Sequence, residues 1–152
     1  MDKPRDVAKE LARLIRGEID FRDFPWLSPQ ERRALGALGV AMLRAAKHEV
    51  AKAAFGVLID LEPEVPIHYL MFGHAATLAE DLPEAFEYFG KAISLTAKDP
   101  ATREVAAESF LARGELLLRL GRTVEARADL ADACSRIDDP VRRSSIEAYL
   151  AS

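Results

Sequence analysis

The chain has little cysteine, little one-sided charge and no long apolar run, and each shortage removes a class of protein. Its single cysteine, Cys134, excludes an internal disulfide framework and the paired CxxC elements of a zinc site. A reducing compartment, the cytoplasm, is the expected location. No run of about 18 apolar residues occurs, and the opening MDKPRDVAKELARLIRGEID has no uninterrupted apolar stretch, so neither a membrane span nor a secretory signal is expected. Basic residues number 21 against 25 acidic ones, for a net charge of -4 without long blocks of either sign. Phosphate backbones call for a basic stripe, so nucleic acid is not an expected partner. Asn-Gly and Asp-Gly turns and alternating β-branched runs are missing, which argues against strands.

Catalytic vocabulary is equally thin. His48, His68 and His74 form no HExxH pair, and the six-residue spacing of His68 and His74 sets them about 120° apart around a helix. The carboxylates Glu62, Glu64, Glu80, Asp81, Glu84 and Glu87 read as solvated faces or local ion pairs rather than an acid–base dyad. There is no nucleophile elbow, phosphate loop or GxGxxG after a strand, and Cys134 reads as a small buried hydrophobe. No cofactor, no metal and no enzymatic activity are expected.

What is present is helical. The chain is rich in alanine, leucine, glutamate and arginine, and 152 residues make one domain able to bury about two-thirds of its unfolded surface. Ser28-Pro29-Gln30-Glu31 reads as a capping box with proline at the first helical position, and Asp99-Pro100 and Asp139-Pro140 repeat the cap-then-proline pattern. Thr123 marks a plainer start. The spacing predicts helices near 5–17, 29–46, 48–61, 66–80, 83–97, 100–120, 123–137 and 140–150.

The strongest feature is internal repetition. Gly39, Ala51, Phe55 and Leu58 are matched, all at one constant offset, by Gly73, Ala85, Phe89 and Ala92. A third set, Gly114, Ala126, Leu130 and Ala133, follows at that offset stretched by seven. Glycine inside a helix costs about 1 kcal/mol against alanine. Three such glycines at matching places are expected where a neighbouring helix needs the space. The stretch LTAKDPATREV supplies the seven extra residues before the third copy. Seven is close to two helical turns, so this segment is expected to lengthen the first helix of the third unit at its start.

These residues resemble the tetratricopeptide repeat, a helix–turn–helix unit of about 34 residues patterned on large apolar, Leu-Gly, Ala, Phe or Tyr, Ala and Pro. The resemblance implies an all-α fold: three stacked helix pairs in a short right-handed solenoid with capping helices at both ends. One domain covers 1–152, divided into an N-terminal helix and connector at 1–27, repeats at 32–65, 66–99 and 100–139, and a C-terminal helix at 140–152. In that family certain places of the first helix face a concave groove. They map here onto Arg33, Gly36, Val40, Leu43 and Arg44, then Ile67, Leu70, His74, Thr77 and Leu78, then Glu108, Leu111, Glu115, Leu118 and Arg119. A mainly apolar groove results, with Val40, Leu43, Arg44, Ile67, Leu70, His74, Leu78, Leu111 and Leu118 as candidate peptide contacts. Gly36 and Val40 stand where some members place the lysine and asparagine of a carboxylate clamp, which this chain lacks.

WLSPQERRALGALGVAMLRAAKHEVAKAAFGVLIDLEP and HYLMFGHAATLAEDLPEAFEYFGKAISLTAKDP look like the first two repeats of the small acidic chaperones of type III secretion translocators. That resemblance implies a cytoplasmic chaperone whose groove holds an extended apolar segment of a hydrophobic secreted client. The chain departs from that family in its first-repeat helix, where Leu35, Leu38 and Met42 replace tyrosines, and in the insertion. A general tetratricopeptide scaffold or regulator, binding a folded partner through another face, is the alternative, and a helical enzyme the third reading. The connector Ile19–Leu27 concentrates Phe21, Phe24 and Trp26, as an end cover, a homodimer contact or an arm near the groove. Val7, Leu11, Leu14 and Ile15 form an apolar stripe expected to pack on the first repeat, or to pair with a second copy, and Ile146 and Leu150 should face inward at the other end.

Overall fold

The computed structural model describes residues 6–20 and 27–152, so the aromatic connector residues Phe21, Phe24 and Trp26 lie outside the described residues. Among the described residues eight α-helices run in order: α1 (Val7–Ile15), α2 (Pro29–Arg44), α3 (His48–Leu61), α4 (Pro66–Leu78), α5 (Leu82–Thr96), α6 (Arg103–Arg119), α7 (Thr123–Cys134) and α8 (Pro140–Ala151). Among the described residues there is no strand.

The starts follow the side chains that cap them. Ser28 Oγ accepts the Glu31 N–H at 3.1 Å while Glu31 Oε1 accepts the Ser28 N–H at 3.1 Å, closing the box at α2. Asp139 caps α8 by accepting the Val141 and Arg142 N–H groups, and Asp81 caps α5 through the Glu84 N–H. The α7 start has no side-chain cap. Asp99 caps only a 3₁₀ turn, Pro100–Thr102, after which α6 begins.

The stops repeat more closely than the sequence does. After α2, α4 and α6 the residue at positive φ is Ala46 (56°), Glu80 (59°) and Gly121 (73°), spaced as the three glycines Gly39, Gly73 and Gly114 are. At each, two hydrogen bonds close a Schellman motif: Ala46 to Leu43 O and Lys47 to Met42 O, Glu80 to Thr77 O and Asp81 to Ala76 O, Gly121 to Leu118 O and Arg122 to Leu117 O. The same tight reversal thus folds α2 on α3, α4 on α5 and α6 on α7 as antiparallel pairs. The fold is an all-α solenoid of stacked helix pairs.

The pairs interlock through the glycines. A Cβ at Gly39 would stand 2.7 Å from the Phe55 ring, at Gly73 2.5 Å from the Phe89 ring, and at Gly114 3.0 Å from Leu130. Each first (A) helix therefore yields its glycine to the side chain sixteen residues on, in the second (B) helix. Ala51, Ala85 and Ala126 in the B helices are completely buried, which completes the close approach.

The seven extra residues before unit three are divided. Gly73 is the eighth residue of α4 and Gly114 the twelfth of α6, so four residues, about one turn, lengthen the A helix. The remainder extends α5 by one residue and widens the α5–α6 connection to residues 97–102, against 62–65 between α3 and α4. The expectation of a full two-turn helix extension is corrected accordingly, because Pro100 starts a 3₁₀ turn rather than α-helix.

The ends are covered by α1 and α8. Leu11 is completely buried, and Val7 and Leu14 pack with it on the α2–α3 core, while Ile15 is exposed. α8 lies on α7, with Ile146 against Ala107, Ala133 and Ile137; Ile146 and Leu150 are both half-buried rather than fully enclosed.

Candidate functional site

Successive A helices touch: α2 meets α4, and α4 meets α6, whereas α3 and α5, or α5 and α7, have at most marginal contact. The array therefore curves with the A helices inside, and their free face is the candidate site.

The residues predicted from sequence divide by exposure. Leu78, at the end of α4, is 44 % exposed. Val40 and Leu43 on α2, Ile67 on α4, and Leu111 and Leu118 on α6 are half-buried, and Arg44 is exposed. Val40 and Leu43 rest on the first core cluster, Ile67 on the second and Leu111 on the third, so each has one side committed to packing and one open. Leu70 departs from the expectation. It is 2 % exposed within the α4–α5–α6 core and offers nothing to a ligand. Gly36, at the equivalent place of α2, faces Leu58 of α3 at 3.8 Å for the same reason: this position turns toward the B helix. Thr77 donates to the Gly73 carbonyl at 2.9 Å.

His74 and the α6 carboxylates give the face its polar part. The His74 ring packs edge-on to Phe89 with centroids 5.4 Å apart. Burial lowers its pKa below the usual histidine value, and the Glu108 carboxylate opposes this only partly. Burial, reinforced by Glu108, raises the pKa of Glu115 above the usual carboxylate value, and Arg142 works against it. Glu108 itself is engaged, accepting from Arg142 of α8 at 2.8 Å. α8 thereby adds a fourth wall to the A-helix face, a contribution sequence reasoning missed. No motif in the sequence signals it, because the contact depends on where α8 docks.

Beneath the opposite side, charge is used for structure. Arg113 Nε and Nη2 donate to the two carboxylate oxygens of Asp129 at 2.6 and 2.9 Å, tying α6 to α7, while its guanidinium lies 5.7 Å from Phe86 and 5.8 Å from Phe110. Cys134 is buried, its thiol 3.8 Å from the Arg143 carbonyl oxygen. Among the described residues no group of three or more His, Cys, Asp or Glu side chains converges as a metal site, and no helix is long and apolar enough to cross a membrane.

Of solved structures, the type III secretion translocator chaperone SycD of Yersinia enterocolitica is similar, with a TM-score of 0.65 at 20 % identity over 83 % of this chain and 85 % of that one. The likeness is one of fold. No protein-family model and no curated protein matches the chain.

Proposed function

We propose that the chain is a protein-binding tetratricopeptide-type module whose A-helix face holds an extended apolar segment of a secreted client, in the manner of a translocator chaperone. The observation that carries this reading is Leu78, a large apolar side chain at the end of α4 that is 44 % exposed, with the half-buried Val40, Leu43 and Leu118 on the neighbouring A helices. Apolar surface left open on a concave face is suited to alternate side chains of an extended chain. The fold likeness to a chaperone of translocators supports the same reading. A client that would otherwise aggregate is kept dispersed, at the cost of ordering its bound segment. Repeats at 32–65, 66–99 and 100–139, action in the cytoplasm, and the absence of catalysis belong to this proposal.

The test is the double change Leu78→Glu and Leu118→Glu. Leu70→Glu is unsuitable, since a buried charge would unfold the α4–α5–α6 core. With far-UV circular dichroism unchanged, the double variant should release an apolar client segment that the native chain retains. Retention of that segment by a folded double variant refutes the groove as its site and favours the scaffold alternative.

A further inference from the structure

The widened α5–α6 connection takes no part in the A-helix face and builds a cavity of its own. Residues 97–100 of this connection, which is longer than the α3–α4 junction, wall a space of about 330 Å³ between the end of α5, the start of α6 and the turn after α7. Its floor is apolar, with Ile93 and the half-buried Phe110, whose ring lies 4.7 Å from the Arg136 guanidinium. Three cations line it, Lys98, Arg103 and Arg136, against a single carboxylate, Asp99.

That carboxylate keeps its charge and caps the 3₁₀ turn. Asp99 Oδ1 accepts the Ala101 N–H at 2.9 Å. Arg136 pairs with Asp132 at 3.2 Å, and Arg103 donates to the Ser135 carbonyl at 3.0 Å with Asp138 3.8 Å away. Lys98 has no ion-pair partner among the described residues. Lys98 is thus the one cation of this lining without an ion pair, and it shares the pocket with hydrocarbon.

We infer that this cavity binds a carboxylate carried on an apolar body, the hydrocarbon lying on Ile93 and Phe110 and the carboxylate on Lys98 and Arg103. The volume stands at the lower end of the range for small-ligand sites. Inorganic phosphate has no apolar body and gains nothing from Ile93 and Phe110. The cavity does not involve Leu78 or Leu118, so this inference and the groove proposal stand or fall separately.

Amide chemical-shift mapping on the uniformly labelled chain tests it, with four probes: 4-phenylbutyrate, neutral 4-phenylbutanol, the capped dipeptide acetyl-Glu-Phe-amide, and inorganic phosphate. Phenylbutyrate should shift the amides of residues 96–103 and 106–110 saturably, the alcohol should bind about fivefold more weakly, and Lys98→Glu should cost about the same factor, as for one exposed ion pair at the upper end of its range. Arg103→Gln serves as a second variant. Tighter binding of the dipeptide assigns the carboxylate to a protein partner, and tighter binding of the free acid assigns it to a small molecule; either supports the site. Equal binding of acid and alcohol, displacement by millimolar phosphate, indifference to both substitutions, or no saturable shift in this region would overturn it.

Discussion

Replacing Gly73 by alanine sets two opposed effects against each other, and the structure decides the sign. Alanine favours the helix by about 0.8–1.0 kcal/mol over glycine. The new Cβ would stand 2.5 Å from Phe89 Cε1 and 2.6 Å from Cδ1. Carbon contacts are optimal at about 3.5–4.0 Å, so the ring must retreat by about 1 Å. Phe89 is 1 % exposed between Ala85 and Ala92, both completely buried, and has nowhere to go. Overpacking of this kind costs about 1–3 kcal/mol, leaving a net destabilisation of about 0–2 kcal/mol. Gly56→Ala is the control, because its Cβ would meet Phe72 at an ordinary 3.8 Å. It should stabilise by about 0.8–1.0 kcal/mol. Guanidinium denaturation followed by far-UV circular dichroism should therefore separate the two variants by about 1–3 kcal/mol, or about 2–4 °C in Tm per kcal/mol. Phe89→Leu should relieve part of the Gly73→Ala loss, as Leu130 opposite Gly114 suggests, giving a favourable coupling in the double-mutant cycle. If Gly73→Ala stabilised as much as Gly56→Ala, the interlocking of the helix pairs would be refuted.

Further outcomes follow from other parts of the fold. Ala46→Gly should stabilise by about 1 kcal/mol, because Ala46 holds a left-handed backbone conformation at φ 56° that favours glycine; a loss of stability in equilibrium unfolding would contradict this. Asp129→Ala should destabilise by about 2–3 kcal/mol, below the range for a fully enclosed pair, since the Arg113 side chain keeps 23 % exposure; a change under half that size would show the pair to be dispensable. His74 titrates below its ordinary value of 6.5 when folded, so the folded state resists its protonation and stability should fall as pH drops from 6.5 toward the folded pKa. His74→Gln should flatten that slope in a pH series of denaturation midpoints, and an unchanged slope would assign it elsewhere. Glu115 acts in the opposite sense, its raised pKa removing stability as pH rises from 4.5 through the folded value.

Much of this architecture was legible because it is written in residues with few alternatives. Cap-then-proline pairs located the starts of α2 and α8, and the glycine, alanine and phenylalanine period located the paired helices. The reversals after α2 and α4 were not legible, since Ala46 and Glu80 occupy positions where the usual signal is glycine. The face of a helix is harder to read than its existence. One residue turns a side chain by about 100°, and the angle at which neighbouring helices meet decides whether Leu70 points into the core or Leu78 into solvent. The Arg142–Glu108 bridge depends on where α8 docks on α7, which local pattern does not encode.

The most direct measurement places a photo-crosslinking amino acid at Leu78, 44 % exposed on α4, and, in a second variant, at Leu95, 36 % exposed on α5, in cells of the organism that encodes the chain. The account predicts crosslinks from position 78 to an extended apolar segment of a secreted protein, and none to that segment from position 95. Crosslinks to folded partners from position 95 alone would contradict it and move the binding surface to the B helices.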